Sequence, residues 1–246
     1  AVKDLKVKTI ISSVLEHHAV LHPLDELEKE GVLIRYVDLD GNGSPKLGHL
    51  KKLLEADDTI KLVSLMHINN EIGNILDLDL IGALCKANGA YFHTDAVQGI
   101  GHFTFDLKSQ PIDFLAAAAH KFHGPKGIGF AFIRKSTNID PFIVGGPQER
   151  GQRAGTESVH NIIGLQKAIE MAYENLDMAT SLLACRLIAG DKQLAQELIH
   201  RSHQQWASKS SHYLDELNKS VISRHQKFGE VAFLLEPDLK EARGGL

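Results

Sequence analysis

Residues 114–133 read FLAAAAHKFHGPKGIGFAFI. Two apolar runs, Phe114 to Ala119 and Gly127 to Ile133, flank a polar turn that contains Lys121. Short apolar runs bounded by glycine and proline predict two buried strands. We expect a lysine between such strands to be buried, which favours the neutral, nucleophilic amine over the ammonium. The alternative is a solvated loop lysine, since most lysines are exposed.

The chain around this segment alternates strand patterns with helix patterns. Strands are predicted at residues 8–13, 33–39, 61–66, 90–93, 112–118 and 129–133, and helices at 17–30, 47–56, 78–87 and from Thr156 to about 176. Strands that alternate with helices of about 10 to 15 residues are typical of an α/β fold, with a mainly parallel sheet covered by helices on both faces. Such sheets bind ligands beyond the carboxyl ends of their strands.

Polar residues follow three of these strands directly, namely His67 to Glu71, Asp95 to Gln98, and His120 with Lys121. We therefore expect them to converge on one site. An acid that pairs with a pyridinium nitrogen and a lysine that forms a Schiff base are the groups that a protein supplies to pyridoxal 5'-phosphate (PLP).

Five motifs give the chain a family resemblance. They are Glu16 to Val20, Met66 to Gly73, His93 to Gln98, Ala119 to Gly129, and Gly145 to Glu157. In order and spacing they resemble the cysteine desulfurases, the NifS/IscS-like branch of the class V, fold type I PLP enzymes. The resemblance covers about residues 1–178 and implies the central part of the large domain of that fold.

The resemblance implies roles for seven residues. Lys121 would form the Schiff base, Asp95 would hold the protonated pyridine nitrogen, and His17 would stack on the ring and move protons. Asn70 and Gln98 would hydrogen-bond the ring oxygen, His120 would contribute to the phosphate pocket, and Thr156 would reach the phosphate of the neighbouring subunit in a homodimer.

Ordinary alternatives exist for these residues. His17 could belong to the N-terminal turn of a helix, and Asp95 could cap a helix. Asn69 and Asn70 could be a turn pair. Thr156 could begin a helix.

The resemblance implies a bacterial, cytoplasmic enzyme that takes sulfur from L-cysteine, leaves alanine and passes a persulfide to an acceptor protein for iron–sulfur cluster biosynthesis. Selenocysteine lyase or another class V lyase or aminotransferase is an alternative within the family. Relative to the family, we expect the chain to lack the N-terminal phosphate-binding turn, since Ala1 resembles the middle of the large domain. We also expect it to lack the catalytic cysteine loop, because Cys85 and Cys185 both lie in helical patterns. Cys85 is expected to be a packed thiol. The second hypothesis is therefore an inactive fragment or fusion with an interaction role.

Residues 179–246 follow a different pattern, which predicts an all-helical segment. The block from Leu235 to Leu246, LEPDLKEARGGL, resembles the bacterial PII uridylyltransferases. We interpret the chain as two parts, a partial PLP-enzyme large domain at 1–178 and a helical segment of different origin at 179–246. A helical extension that matches by chance is the alternative.

The composition of the chain limits the classes of partner and the cell compartment that we expect. The net charge of −4 argues against a nucleic-acid or membrane partner. No apolar run approaches the roughly 18 residues of a membrane-spanning helix. Only two cysteines are present, as expected of a reducing cytoplasm. His120 and His123 lie three residues apart, but nothing completes a four-ligand zinc motif, so no metal site is expected.

Overall fold

A computed structural model describes residues 1–174 and 176 of the 246-residue chain. The strands and helices of this part alternate as predicted. Their bounds are β1 (Thr9–Ser12), α1 (His18–Lys29), β2 (Leu33–Tyr36), α2 (Leu47–Leu54), β3 (Lys61–Ser64), α3 (Leu78–Ala87), β4 (Tyr91–Asp95), β5 (Phe114–Ala118), β6 (Gly129–Ile133) and α4 (Val159–Glu174). The predicted helical segment at 179–246 lies outside the described residues.

The six strands form one sheet in the order β2-β1-β3-β4-β5-β6. The first five are parallel to one another, and β6 runs antiparallel to β5. This arrangement confirms the predicted α/β fold with a mainly parallel sheet. Every residue of β1 and β3 is buried because a parallel sheet is covered on both faces.

Neighbouring residues of each strand point to opposite faces of the sheet, and both faces are packed. Ile10 faces α1, whereas Ile11 faces the side that carries α2, α3 and α4. The core on the α1 side comprises Val7, Ile10, Leu24, Ile34, Leu62 and Phe114. The larger core on the other side includes Ile11, Leu50, Val63, Ile81, Phe92 and Leu115. The expectation of helices on both faces is confirmed.

Two details differ from the sequence-based expectation. The strand β6 was expected to be buried, but it is an edge strand whose residues alternate between exposed and half-buried. An apolar run shows that a strand exists, whereas its place in the sheet depends on pairing with distant strands. The helix α4 begins at Val159 rather than at Thr156. Its first turn starts where the Ile162 N–H donates to the Ser158 carbonyl at 2.9 Å.

None of the helices in the described part of the chain is both long and apolar enough to span a membrane.

Candidate active site

Four adjacent strands, β1, β3, β4 and β5, end at the same edge of the sheet. His17 follows β1, Asn70 follows β3, and Lys121 follows β5. Asp95 is the last residue of β4, with Gln98 three residues beyond it and His120 next to Lys121. These positions therefore all follow neighbouring strands at the carboxyl ends of the sheet. Thr156 follows none of these strands and is exposed in the segment before α4.

Lys121 lies on a short 3-10 turn, Ala119–Phe122, that leaves the end of β5. The turn is closed by the Gly124 N–H, which donates to the Ala119 carbonyl at 2.8 Å. His102 Nε2 lies 3.3 Å from the Lys121 carbonyl oxygen and supports the turn from outside. The expectation that Lys121 is buried is wrong, because this turn carries its side chain to an exposed position above the buried strand. The amine is therefore accessible to a ligand at the sheet edge.

Asp95 is a buried carboxylate, with 9% of the residue exposed. Its Oδ1 accepts a hydrogen bond from the Val97 N–H at 2.9 Å, and its carbonyl accepts one from the His67 N–H at 2.9 Å. Within the described residues, no cationic side chain lies within ion-pair distance of Asp95. A buried charge is costly without a partner. Asp95 therefore fits the protonated pyridine nitrogen of PLP, which would supply that partner.

A row of polar side chains lies beneath Asp95 on the α1 side of the sheet. The Ser12 hydroxyl donates to the Ser64 carbonyl at 3.0 Å, and Ser64 Oγ lies 2.8 Å from His93 Nδ1. His93 and Asp95 are two residues apart on β4 and so share this face. Burial lowers the pKa of His93, which keeps its imidazole neutral at neutral pH. The row holds the strand ends together. Because His93 is neutral, the row adds no cation that would compete with a ligand for Asp95.

His67 is a buried residue that follows β3. Its ring meets the Phe103 and Phe105 rings edge-on, with centroids 5.3 Å and 5.1 Å apart. Burial lowers its pKa to about 4, so the imidazole is neutral. The ring also lies against Gly99, and a Cβ at that position would collide with His67 Nδ1.

His17 caps α1. Its Nδ1 accepts a hydrogen bond from the Ala19 N–H at 3.1 Å, and its ring is exposed. The alternative reading, a helix N-terminal turn, therefore describes its local structure correctly. Because Nδ1 accepts, the neutral imidazole carries its proton on Nε2. This tautomer leaves a single proton-bearing nitrogen free of the capping bond.

The two adjacent asparagines differ in their surroundings. Asn69 is buried, and its Oδ1 accepts from the Glu71 and Ile72 N–H groups at 2.8 Å and 3.0 Å. Its Nδ2 donates to the Leu15 carbonyl at 2.7 Å. Asn70 is exposed, and its Nδ2 donates to Glu71 Oε1 at 2.6 Å. Asn69 thus builds the turn, and Asn70 is the one whose amide is accessible to a ligand.

One buried residue of the first motif received no role from the sequence. Glu16, directly before His17, has 6% of its surface exposed. Its Oε1 accepts a hydrogen bond from the Met66 N–H at 2.8 Å. The signal that was available is a glutamate between a buried strand and an amphipathic helix, where burial of an acid is uncommon.

Cys85 is buried on α3, and burial raises the pKa of its thiol to about 12. The predicted packed thiol is confirmed, and Cys85 is unsuited to act as a nucleophile. Cys185 lies outside the described residues.

Among residues 1–174 and 176, no three His, Cys, Asp or Glu side chains are grouped so that they could hold a metal ion.

Comparison with known proteins gives concordant results. The family described as aminotransferase class-V matches residues 4–214, which continues past residue 178. A protein of Clostridium botulinum named cysteine desulfurase IscS is 48% identical over 184 residues, which are 74% of this chain and 46% of that protein. The chain thus spans about half the length of the curated relatives it matches.

Two solved structures are similar to this chain in fold and sequence. A structure titled NifS-like protein is similar with a TM-score of 0.70 and 39% identity, covering 77% of this chain and 53% of the other. One titled SspA in complex with cysteine has a TM-score of 0.63 and 34% identity, covering 69% and 49%.

Proposed function

Because the chain belongs to the class-V aminotransferase family, whose desulfurase members are PLP enzymes, we propose that it acts as a cysteine desulfurase. The observation that carries the proposal is the convergence of an unpaired buried carboxylate, Asp95, and an accessible amine, Lys121, on one sheet edge. The reaction takes sulfur from L-cysteine to a thiol of an acceptor protein. The Cβ–S bond of cysteine breaks, an S–S bond forms on the acceptor, and a proton goes to the former cysteine Cβ, which leaves alanine.

When bound, PLP supplies an electron sink for the substrate carbanion. Asp95 would pair with the ring nitrogen and keep it protonated. Lys121 would hold the cofactor by its amine and would then move a proton at the substrate. His17 would cover the ring face, and its Nε2–H would be available for proton transfer. Asn70 and Gln98 would bind the ring oxygen, and His120 would contribute to the phosphate site.

Two comparisons support the choice of substrate. The similar Clostridium protein is named a cysteine desulfurase, and the similar SspA structure is a complex with cysteine. Since Cys85 is buried and held as a thiol, it does not carry the persulfide. The sulfur is delivered to an acceptor protein in the cytoplasm for iron–sulfur cluster assembly. A class-V lyase that acts on selenocysteine is the alternative within the family.

A second copy of the chain completes the site. Thr156 is exposed in the segment before α4, and we assign its hydroxyl to the phosphate group bound by the partner subunit. Phe142 and Val144 support a homodimer, because they are 99% and 78% exposed in the loop that precedes Thr156. Large exposed apolar side chains that cluster in this way mark interaction surfaces.

The test compares visible absorbance after addition of PLP to the wild type, Lys121→Ala and Lys126→Ala. Both lysines are exposed in the connection between β5 and β6, so Lys126→Ala is a matched control. We expect a visible band for the wild type and Lys126→Ala, and none for Lys121→Ala, because only Lys121 bonds to the cofactor.

Alanine release from L-cysteine, measured with an acceptor thiol present, should follow the same order. Absence of a band in the wild type would leave the second hypothesis, an inactive chain with an interaction role. Turnover of selenocysteine but not of cysteine would identify the lyase instead.

A further inference from the structure

Glu16 joins two strand ends. Its Oε1 accepts from the Met66 N–H, and Met66 follows β3, whereas Glu16 itself follows β1. This hydrogen bond ties the turn that carries His17 to the neighbouring strand, together with the bond from Asn69 Nδ2 to the Leu15 carbonyl. The other oxygen, Oε2, is buried and has no hydrogen-bond partner among the described residues.

A cavity of about 40 Å³ lies beside Glu16. All of its other lining residues are uncharged, and they include Ser13, Asn69 and Asn74. The cavity is large enough for a water molecule. A carboxylic acid can donate to such a water, whereas a carboxylate would be buried here without a cation to balance it.

Asp95 is the charged group that acts on Glu16. Burial is the main cause that raises the pKa of Glu16 to about 8; the Met66 hydrogen bond opposes the rise and the charge of Asp95 adds to it. Two neighbouring buried carboxyl groups resist simultaneous ionisation. Among the described residues, the hydrogen-bond donor to the carboxyl group is the backbone N–H of Met66, and Glu16 is the one charged residue that lines the cavity.

We propose that Glu16 is a positioning residue that works as a neutral carboxylic acid. It fixes the His17 turn against β3 and leaves the negative charge of the site on Asp95. This inference rests on the proposed function, because the charge on Asp95 is what meets the protonated ring of PLP. A neutral carboxylic acid still accepts the hydrogen bond from the Met66 N–H, and it adds no second negative charge beside Asp95.

The test measures PLP affinity by absorbance titration at neutral pH for the wild type, Glu16→Gln, Glu16→Ala and the control Glu28→Gln. Glu28 is exposed on α1. Glutamine is neutral and keeps an acceptor for the Met66 N–H, so Glu16→Gln should bind PLP with an affinity within about twofold of that of the wild type. Glu16→Ala leaves that N–H without a partner and should weaken binding about tenfold. Equal losses in both variants, or none in Glu16→Ala, would overturn the proposal.

A second measurement needs no cofactor. The urea midpoints of the wild type and Glu16→Gln are compared from about pH 5 to about pH 9. Between the ordinary value of 4.5 and about 8, the native state keeps the proton that the unfolded state releases. The stability of the wild type relative to Glu16→Gln should therefore fall as pH rises through this window and level off above it.

The histidines His67, His93 and His102 titrate equally in both proteins and cancel in the difference. Glu28→Gln should show no such trend. A pH-independent difference between the wild type and Glu16→Gln would overturn the neutral acid. If the wild type binds no PLP, the proposed function fails, whereas the stability comparison still decides the state of Glu16.

Discussion

The contact between His67 and Gly99 shows how little space the site leaves around Asp95. The φ angle of Gly99 is not positive, so its backbone conformation does not require glycine. Glycine is required there because a side chain would have no room. The His67 N–H donates to the Asp95 carbonyl, so a shift of His67 also moves the end of β4. This dependence was not predictable, because Gly99 and His67 lie on segments that meet only in the folded sheet.

Replacing Gly99 with alanine tests this contact. The added Cβ collides with the His67 ring, so Gly99→Ala should lower the free energy of unfolding by ~1–3 kcal/mol, as overpacking does. The matched control is Gly48→Ala on α2, where a Cβ meets nothing within 4 Å. There alanine should be neutral or stabilise by ~0.5–1 kcal/mol. Equal urea midpoints for the two variants would contradict the collision.

At the level of elements, the pairing of β6 with β5 determines how Lys121 is presented. Each strand and helix of the described part was predictable from its apolar pattern, because that pattern is local. The edge position of β6 and the exposure of Lys121 were not, since both depend on which strands pair. Arg134, directly after β6, fixes this edge by donating to the Ile112 carbonyl at 2.8 Å and the Gln110 carbonyl at 2.7 Å.

Arg134→Ala should therefore destabilise the protein by ~1–3 kcal/mol, because partly buried carbonyl groups lose their donors. Lys135→Ala removes a charge of the same sign from an exposed neighbour and should change the urea midpoint little. The measurement is equilibrium unfolding in urea, monitored by circular dichroism. A loss in Lys135→Ala as large as in Arg134→Ala would show that charge, rather than the carbonyl contacts, matters.

For the described part of the chain as a whole, the position of the candidate site at the carboxyl ends of the strands was predictable, and its electrostatics were not. The parallel sheet requires residues that follow its central strands to meet at one edge, which is why Asp95 and Lys121 could be placed together. Glu16, Ser64 and His93 escaped prediction because their roles depend on which face of which neighbouring strand they share. Burial then sets the charge of each group, and burial is a property of the assembled sheet.

The exposed loop around Phe142 leads to a prediction for the assembly. The wild type should sediment as a homodimer, and a Phe142→Ser, Val144→Ser double variant should shift toward monomer. Leu80→Ser, which changes an exposed leucine on α3, is the control and should leave the mass unchanged. A monomeric wild type, or a dimeric double variant, would contradict this role of the loop.

The order of strands also has a consequence in time. The site draws on residues from Glu16 to Lys121, and β5 must join β4 before the lysine reaches the aspartate. During synthesis, a chain that has emerged only as far as β4 already contains Asp95. It lacks Lys121 and so cannot yet form a bond to the cofactor. Cofactor capture therefore comes after sheet assembly, and by mass action it stabilises only chains that have completed it.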